Sequence, residues 1–173
     1  KIIPNPQTLY AKINLELDNH AISLNSKKFT VTVLRLASIF GDSLRMRWDQ
    51  SINNMVKELC NNGKIEVRSK NSQRPFLHID DVIRAIILVI ESKENAAGEI
   101  FNVGSNDLNY SIGKIAKEIT NIAKKENSLI VSDEKDKNSF TMNCDKINKK
   151  LGFKKNNDLK YGIKELLRKL DYK

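Results

Sequence analysis

Cysteine is scarce: Cys60 and Cys144 are the only two, and neither sits in a C-x-x-C motif or a Cys/His cluster. A disulfide scaffold is excluded, no metal site is expected, and both residues read as buried free thiols in a reducing cytoplasm. Long apolar runs are missing too. The longest, Ala85 to Ile90, is far short of the roughly 20 residues that cross a bilayer, so no membrane association is expected. No basic start followed by an apolar stretch and a small-residue cleavage site points to export. With only 7 Gly, 3 Pro and 6% aromatics, collagen-like and low-complexity classes drop out. What is present is 40% hydrophobic over 173 residues, enough for one domain with a core and too short for two ordinary ones.

The net charge of +9 is uneven: residues 1–113 carry +2 and residues 114–173 carry +7. Nearly all of the excess is lysine, spread between apolar positions of helical patterns, as at Lys114, Lys117, Lys124, Lys125, Lys164 and Lys169. Nucleic-acid binders cluster such charge with arginine and interleave it with aromatics for stacking. Phe140, Phe153 and Tyr161 do not alternate with the basic residues, so no nucleic-acid partner is expected. A solvated lysine-rich surface is the reading, with attraction of an anionic small substrate left open.

Along the chain, Thr8 is placed to cap a helix over 9–24, with Leu9, Ile13, Leu17 and Ala21 on one face. Thr30 to Leu36 is β-branched and apolar, as in a strand buried on both faces. Ile52, Met55, Val56, Leu59 and Cys60 form a helical stripe over 50–62, ended by Asn61-Asn62-Gly63. A strand follows with Ile65 and Val67 inward. Arg74 and His78 fall in a buried-strand pattern. The helix from Asp80 or Asp81 is almost wholly apolar and is expected to lie deep, its two carboxylates capping and charging its start. A strand over 99–103, a loop to Ser111, an amphipathic helix from Ile112, a strand over 129–131 and helices over 145–151 and 159–170 complete an α/β order.

Several segments together carry a resemblance. They are Leu9-Tyr10-Ala11, Val33-Leu34-Arg35-Leu36 through Phe40-Gly41, Arg74-Pro75-Phe76-Leu77-His78-Ile79-Asp80-Asp81-Val82, and Glu99 through Ser105. Cys144-Asp145-Lys146-Ile147 with Leu151-Gly152-Phe153, and then Gly162-Ile163, follow in order. The chain resembles the C-terminal half of the NAD-dependent epimerase/dehydratase group, the extended short-chain dehydrogenases/reductases that act on nucleotide sugars. Ser43 through Asp49 and Asn53-Asn54-Met55 look like its UDP-glucose 4-epimerase-like subset. The fold this implies is a partial Rossmann-type parallel sheet, its last strands only, plus a small α/β substrate-binding lobe. Residues 1–48 would end the dinucleotide-binding domain. Residues 49–173 would be mainly substrate lobe, with 74–104 returning to the Rossmann core. The family's glycine-rich G-x-x-G-x-x-G turn, which cradles the cofactor pyrophosphate, has no counterpart among the seven glycines.

The resemblance also implies a site. Tyr10 occupies the position of the catalytic tyrosine, whose phenolate takes a proton from a sugar hydroxyl as hydride passes to NAD. The family's lysine one helical turn later, which assists that ionisation and holds the cofactor ribose, is Asn14 here. Lys12 cannot replace it, because two residues rotate about 200° around a helix. Tyr10, Asn14 and Ser38 are the expected cofactor contacts. Asn54 and Met55 open a helix at which family members bind a nucleotide diphosphate, and Arg74 stands where an arginine clamps phosphate. The phosphate arm reads Asp136-Lys137, without the usual arginine. Of Arg45 and Arg47, one is expected to pair with Asp49 and the other to reach substrate.

The resemblance implies a nucleotide-sugar substrate, NAD, and a homodimer for the whole protein. Three readings stay open: an enzyme half that is inactive alone, a binding remnant without chemistry, and a basic nucleic-acid binder with salt-dependent affinity. A half of this kind leaves Thr30 to Leu36 without parallel neighbours, which predicts an adhesive edge.

Overall fold

The computed structural model describes residues 4–132 and 139–171. The chain runs α1 (Leu9–Ser23), β1 (Val33–Leu36), β2 (Ser38–Phe40), α2 (Ser51–Asn62), β3 (Ile65–Val67), β4 (Gln73–His78) and α3 (Ile79–Glu91). It continues with α4 (Lys93–Ala96), β5 (Ile100–Val103), β6 (Asn109–Ser111), α5 (Ile112–Ile122), β7 (Leu129–Val131), α6 (Asp145–Leu151) and α7 (Leu159–Lys169). The α/β class read from the sequence stands. None of the described helices is long and apolar enough to cross a membrane.

The strands form three small sheets: β1 with β5, the order β2-β4-β6, and β3 with β7. β1–β5, β2–β4 and β3–β7 are parallel, while β4–β6 is antiparallel. Parallel neighbours need a crossover, and here the crossovers are long: α2 and β3 lie between β2 and β4, and every element from β2 to α4 lies between β1 and β5.

β4 is the wall between two cores. Its side chains alternate between faces, so Phe76 joins Phe40, Ile52, Val56, Leu59, Ile115, Ile119, Ile163 and Leu166 on one side. Leu77 joins Ala37, Val82, Ala85, Phe101, Val103, Ile147 and Phe153 on the other. Helix starts follow the residues the sequence offers. Thr8 Oγ1 accepts from the Ala11 amide at 3.1 Å, Ser111 Oγ from Lys114 and Asp158 from Tyr161. Gly63 closes α2 in the left-handed conformation (φ 68°) that a non-glycine residue disfavours.

Four expectations change. α3 is not deep: Val82, Ala85 and Val89 are buried, but Ile83, Ile86, Ile87 and Ile90 on the opposite faces are exposed, Ile90 by 70%. Its apolar content exceeds what the described core can cover. β1 starts at Val33 rather than Thr30 and is half-buried, not enclosed on both faces, because β5 is its one partner among the described residues. The start of α3 is capped by His78, whose Nδ1 accepts from the Asp80 amide at 3.3 Å. Asp81 does something else. Fully buried, it accepts from the amides of Asn156 and Asn157 at 2.8 and 2.9 Å and from Arg84 at 2.8 Å, tying α3 to the segment before α7. The loop expected before Ser111 also contains the short strand β6, which pairs Arg74 with Tyr110.

Candidate functional site

α1 presents Tyr10 with 78% of its surface exposed, on a helix that buries no residue at all. The helix is fastened to β1 by Asp18 and Arg35, 2.6 Å apart. Asn14 lies one turn beyond Tyr10, and its Nδ2 donates to the Tyr10 carbonyl at 3.0 Å. That amide is therefore folded back on its own helix and brings no charge to the phenol.

Ser38 opens β2, half-buried, in register with Phe76 of β4. Arg74 lies two residues before Phe76 on the same strand face. Sheet pairing thus brings Ser38 and Arg74 onto adjacent strands, although they are far apart in sequence. The Arg74 guanidinium donates from Nη1 to Ser72 Oγ at 2.8 Å and to the Gln73 carbonyl at 2.9 Å, and it stacks over Phe140.

After β2 the chain turns at Gly41 (φ 117°) into a loop over residues 41–50 that leads to α2. Arg47 pairs with Asp49 through two contacts of 2.8 and 2.6 Å. The hydrogen bond from Arg47 holds the exposed Asp49 carboxyl down at about 2. Arg45 is exposed on the same loop. At the start of α2, Asn54 donates to Glu58 at 2.8 Å, its amide N–H is spent on the Gln50 carbonyl, and the Met55 side chain is buried. The open amides at this helix start are those of residues 51–53. Asp136 and Lys137 lie outside the described residues.

Sequence reasoning missed two groups. Asn53, almost fully buried, accepts from the Gly41 amide at 3.3 Å and donates to the Arg47 carbonyl at 3.1 Å, so it spans the loop. Glu165 on α7 accepts from the Asp42 amide at 2.7 Å and meets His78 Nε2 at 3.0 Å. No sequence spacing announces this pair, because 87 residues separate its members. His78, Asp80 and Glu165 each bring a potential ligand atom within 4.8 Å of the others. Both nitrogens of the buried His78 ring are already hydrogen-bonded, however, so this group is a joint between elements rather than an open coordination site. A cleft of about 420 Å³ lies elsewhere, beyond the end of β5, bordered by Gly104, Asp107, Cys144, Asp145 and Lys155. None of the residues expected to act on substrate lines it.

The profile of the NAD dependent epimerase/dehydratase family matches residues 2–104. UDP-D-apiose/UDP-D-xylose synthase 1 of Arabidopsis thaliana is 41% identical over 54 residues, 31% of this chain and 14% of that protein. CDP-abequose synthase of Salmonella muenchen is 32% identical over 95 residues, 54% of this chain and 29% of that protein. Among solved structures, RMD from Pseudomonas aeruginosa complexed with NADPH superposes with a TM-score of 0.85 at 18% identity, covering 99% of this chain and 59% of that one. UDP-glucuronic acid 4-epimerase from Bacillus cereus gives 0.82 at 20% identity, covering 98% and 55%. The chain therefore spans under a third of these curated relatives and little more than half of the solved chains that share its fold. By the match across most of its length, the chain belongs to the NAD-dependent epimerase/dehydratase family.

Proposed function

We propose that this chain is the C-terminal part of an NAD-dependent enzyme that epimerises or dehydrates a nucleotide sugar. The reading is carried by the family match over residues 2–104, a span that includes the Tyr10 helix, Arg74 and the end of β5. The similar solved proteins bound to UDP-glucuronic acid or UDP-glucose with NAD support it.

When bound, the nicotinamide supplies a hydride acceptor and donor at a sugar carbon. Tyr10 takes the proton of the adjoining hydroxyl, a service worth roughly 10²–10⁴ in rate for a well-placed base. Ser38 faces the cofactor and substrate from the start of β2. Arg74 and the open amides of residues 51–53 at the start of α2, with the Asn54 side chain beside them, would hold the diphosphate; the Asp136-Lys137 arm lies outside the described residues. The arginine fork suits two phosphate oxygens, and a helix start offers free amides to an anion. No residue of the chain forms a glycine-rich turn, so its own residues do not fit the pyrophosphate of a dinucleotide. Residues 1–173 by themselves are inactive.

Asn14 favours a second reading, a nucleotide-sugar-binding remnant without turnover, because its side chain serves its own helix. The test uses the whole protein that contains this chain, assayed for bound NAD and for conversion of UDP-glucose and UDP-glucuronic acid. Turnover that Tyr10→Phe abolishes carries the first reading. Binding without turnover, with activity appearing in Asn14→Lys, carries the second. Turnover unchanged in Tyr10→Phe refutes the role given to Tyr10.

A further inference from the structure

The loop over residues 41–50 carries both Arg45 and Arg47, and its beginning is held from two directions. Asn53 on α2 takes the Gly41 amide, and Glu165 on α7 takes the next amide, Asp42, at 2.7 Å. The Asp42 side chain in turn faces Lys169, 2.5 Å away on the same helix as Glu165. Two consecutive backbone donors of one turn are thus fixed by side chains from separate helices. Glu165 is itself aimed. Because His78 Nδ1 accepts the Asp80 amide, the ring proton sits on Nε2 and points to the Glu165 oxygen that also receives Asp42.

The packing leaves that ring no freedom. His78 is fully buried, with its ring edge-on to Phe40 at 5.5 Å and to Tyr161 at 5.4 Å between centroids. A Cβ on Gly41 would lie 2.5 Å from His78 Nε2, so the turn approaches the ring as closely as glycine permits. The far end of the loop closes through Asn53 on the Arg47 carbonyl and through the Arg47–Asp49 pair.

We propose that Glu165 is a positioning residue: from α7 it fixes the Gly41–Asp42 turn, and through that turn it sets where Arg45, the arginine of the loop that is not paired with Asp49, meets the diphosphate of the substrate, with His78 holding its carboxylate in place. The proposal rests on the nucleotide-sugar reading above and adds a device that no local sequence pattern contains. It makes α7, which supplies none of the residues expected to touch substrate, part of the substrate-binding apparatus.

The test compares Glu165→Ala, Glu165→Asp and Glu165→Gln in the whole protein that contains this chain. Aspartate keeps the charge but is too short to reach both donors, whereas glutamine keeps the length and an acceptor oxygen. Amide exchange across 41–49 should quicken at least tenfold in the alanine and aspartate variants, with exchange in β4 unchanged and the glutamine variant near the parent. KM for UDP-glucose and UDP-glucuronic acid should rise about tenfold in the same two variants, with a much smaller fall in kcat and recovery in Glu165→Gln. If alanine does not fold, the aspartate variant decides. Unchanged exchange at 41–49, or loosened exchange with unchanged KM, overturns the proposal. A parent protein that binds neither sugar nucleotide refutes the functional reading instead, and leaves the exchange comparison to decide whether Glu165 holds the loop.

Discussion

Replacing Gly162 by alanine sets two effects of opposite sign against each other. Gly162 is the fourth residue of α7, and an alanine in a helix interior is favoured over glycine by about 1 kcal/mol. The surroundings oppose it: the added Cβ would stand 2.4 Å from Phe40 Cε2 and 2.9 Å from His78 Cδ2, where ordinary contact needs another ångström. Neither neighbour can withdraw. Phe40 is buried against Phe76, with centroids 6.5 Å apart, and His78 is pinned by Glu165 and the Asp80 amide. Moving α7 outward instead would uncover Ile163 and Leu166, both fully buried. Overpacking of this kind costs about 1–3 kcal/mol and here sits at the upper end, so the net loss is about 1–2 kcal/mol. Urea unfolding followed by circular dichroism reads it directly. With a slope of about 2 kcal/mol/M the midpoint falls by roughly 0.5–1 M at unchanged slope. Gly152 is the control: its φ is 72° and no atom lies near its would-be Cβ, so alanine there loses backbone energy alone, about 1 kcal/mol. A Gly162→Ala protein as stable as its parent would refute the packing argument.

Asp81→Ala leaves two partly buried backbone donors and Arg84 without their acceptor, and should cost about 1–3 kcal/mol in denaturant unfolding. Asp81→Asn, which keeps one acceptor oxygen, should lose less; equal stability of both variants with the parent counts against the anchor. Burial first, and Asp145 second, push the Cys144 thiol up to about 11. A thiol raised in the folded state contributes stability that is whole below its unfolded value, about 8.5, and is lost as pH rises through about 11. Stability should therefore decline across that window, and Cys144→Ala should flatten the decline; a slope unchanged by the substitution sinks the assignment. Residues 1–173 expressed alone should self-associate through the exposed stripe of α1, where Leu17 is 57% exposed, the free edge of β1 and the bare isoleucines of α3. Sedimentation showing a monodisperse monomer that melts cooperatively would contradict this.

The elements legible in the sequence were those whose signals are local. Thr8, Ser111 and Asp158 cap where their hydroxyl and carboxylate chemistry places them. The stripes of α2, α5 and α7 face the core as their spacing requires. α3 misled for a physical reason: composition reports how apolar a helix is, not whether neighbours exist to cover it. Its four bare isoleucines, like the stripe of α1, fit a fold whose solved relatives are nearly twice as long. The expected positions of Tyr10, Asn14, Ser38 and Arg74 rested on ordered motifs rather than on geometry. Of the two missed groups, Asn53 lay inside a quoted motif that gave no hint of its role in the loop, and Glu165 carries no motif and acts only by reaching across the fold.

By itself the sequence determined the α/β class, most helix boundaries and the family, because each is written in residue order and spacing. Only the tertiary structure decided that β4 divides two cores and that Asp81 anchors the segment before α7 rather than capping α3. It alone showed that His78 and Glu165 lock the turn after β2. These are pairings of partly buried polar groups, set by which donors and acceptors folding leaves facing each other, and such partners are chosen in space across 75 to 123 residues of chain.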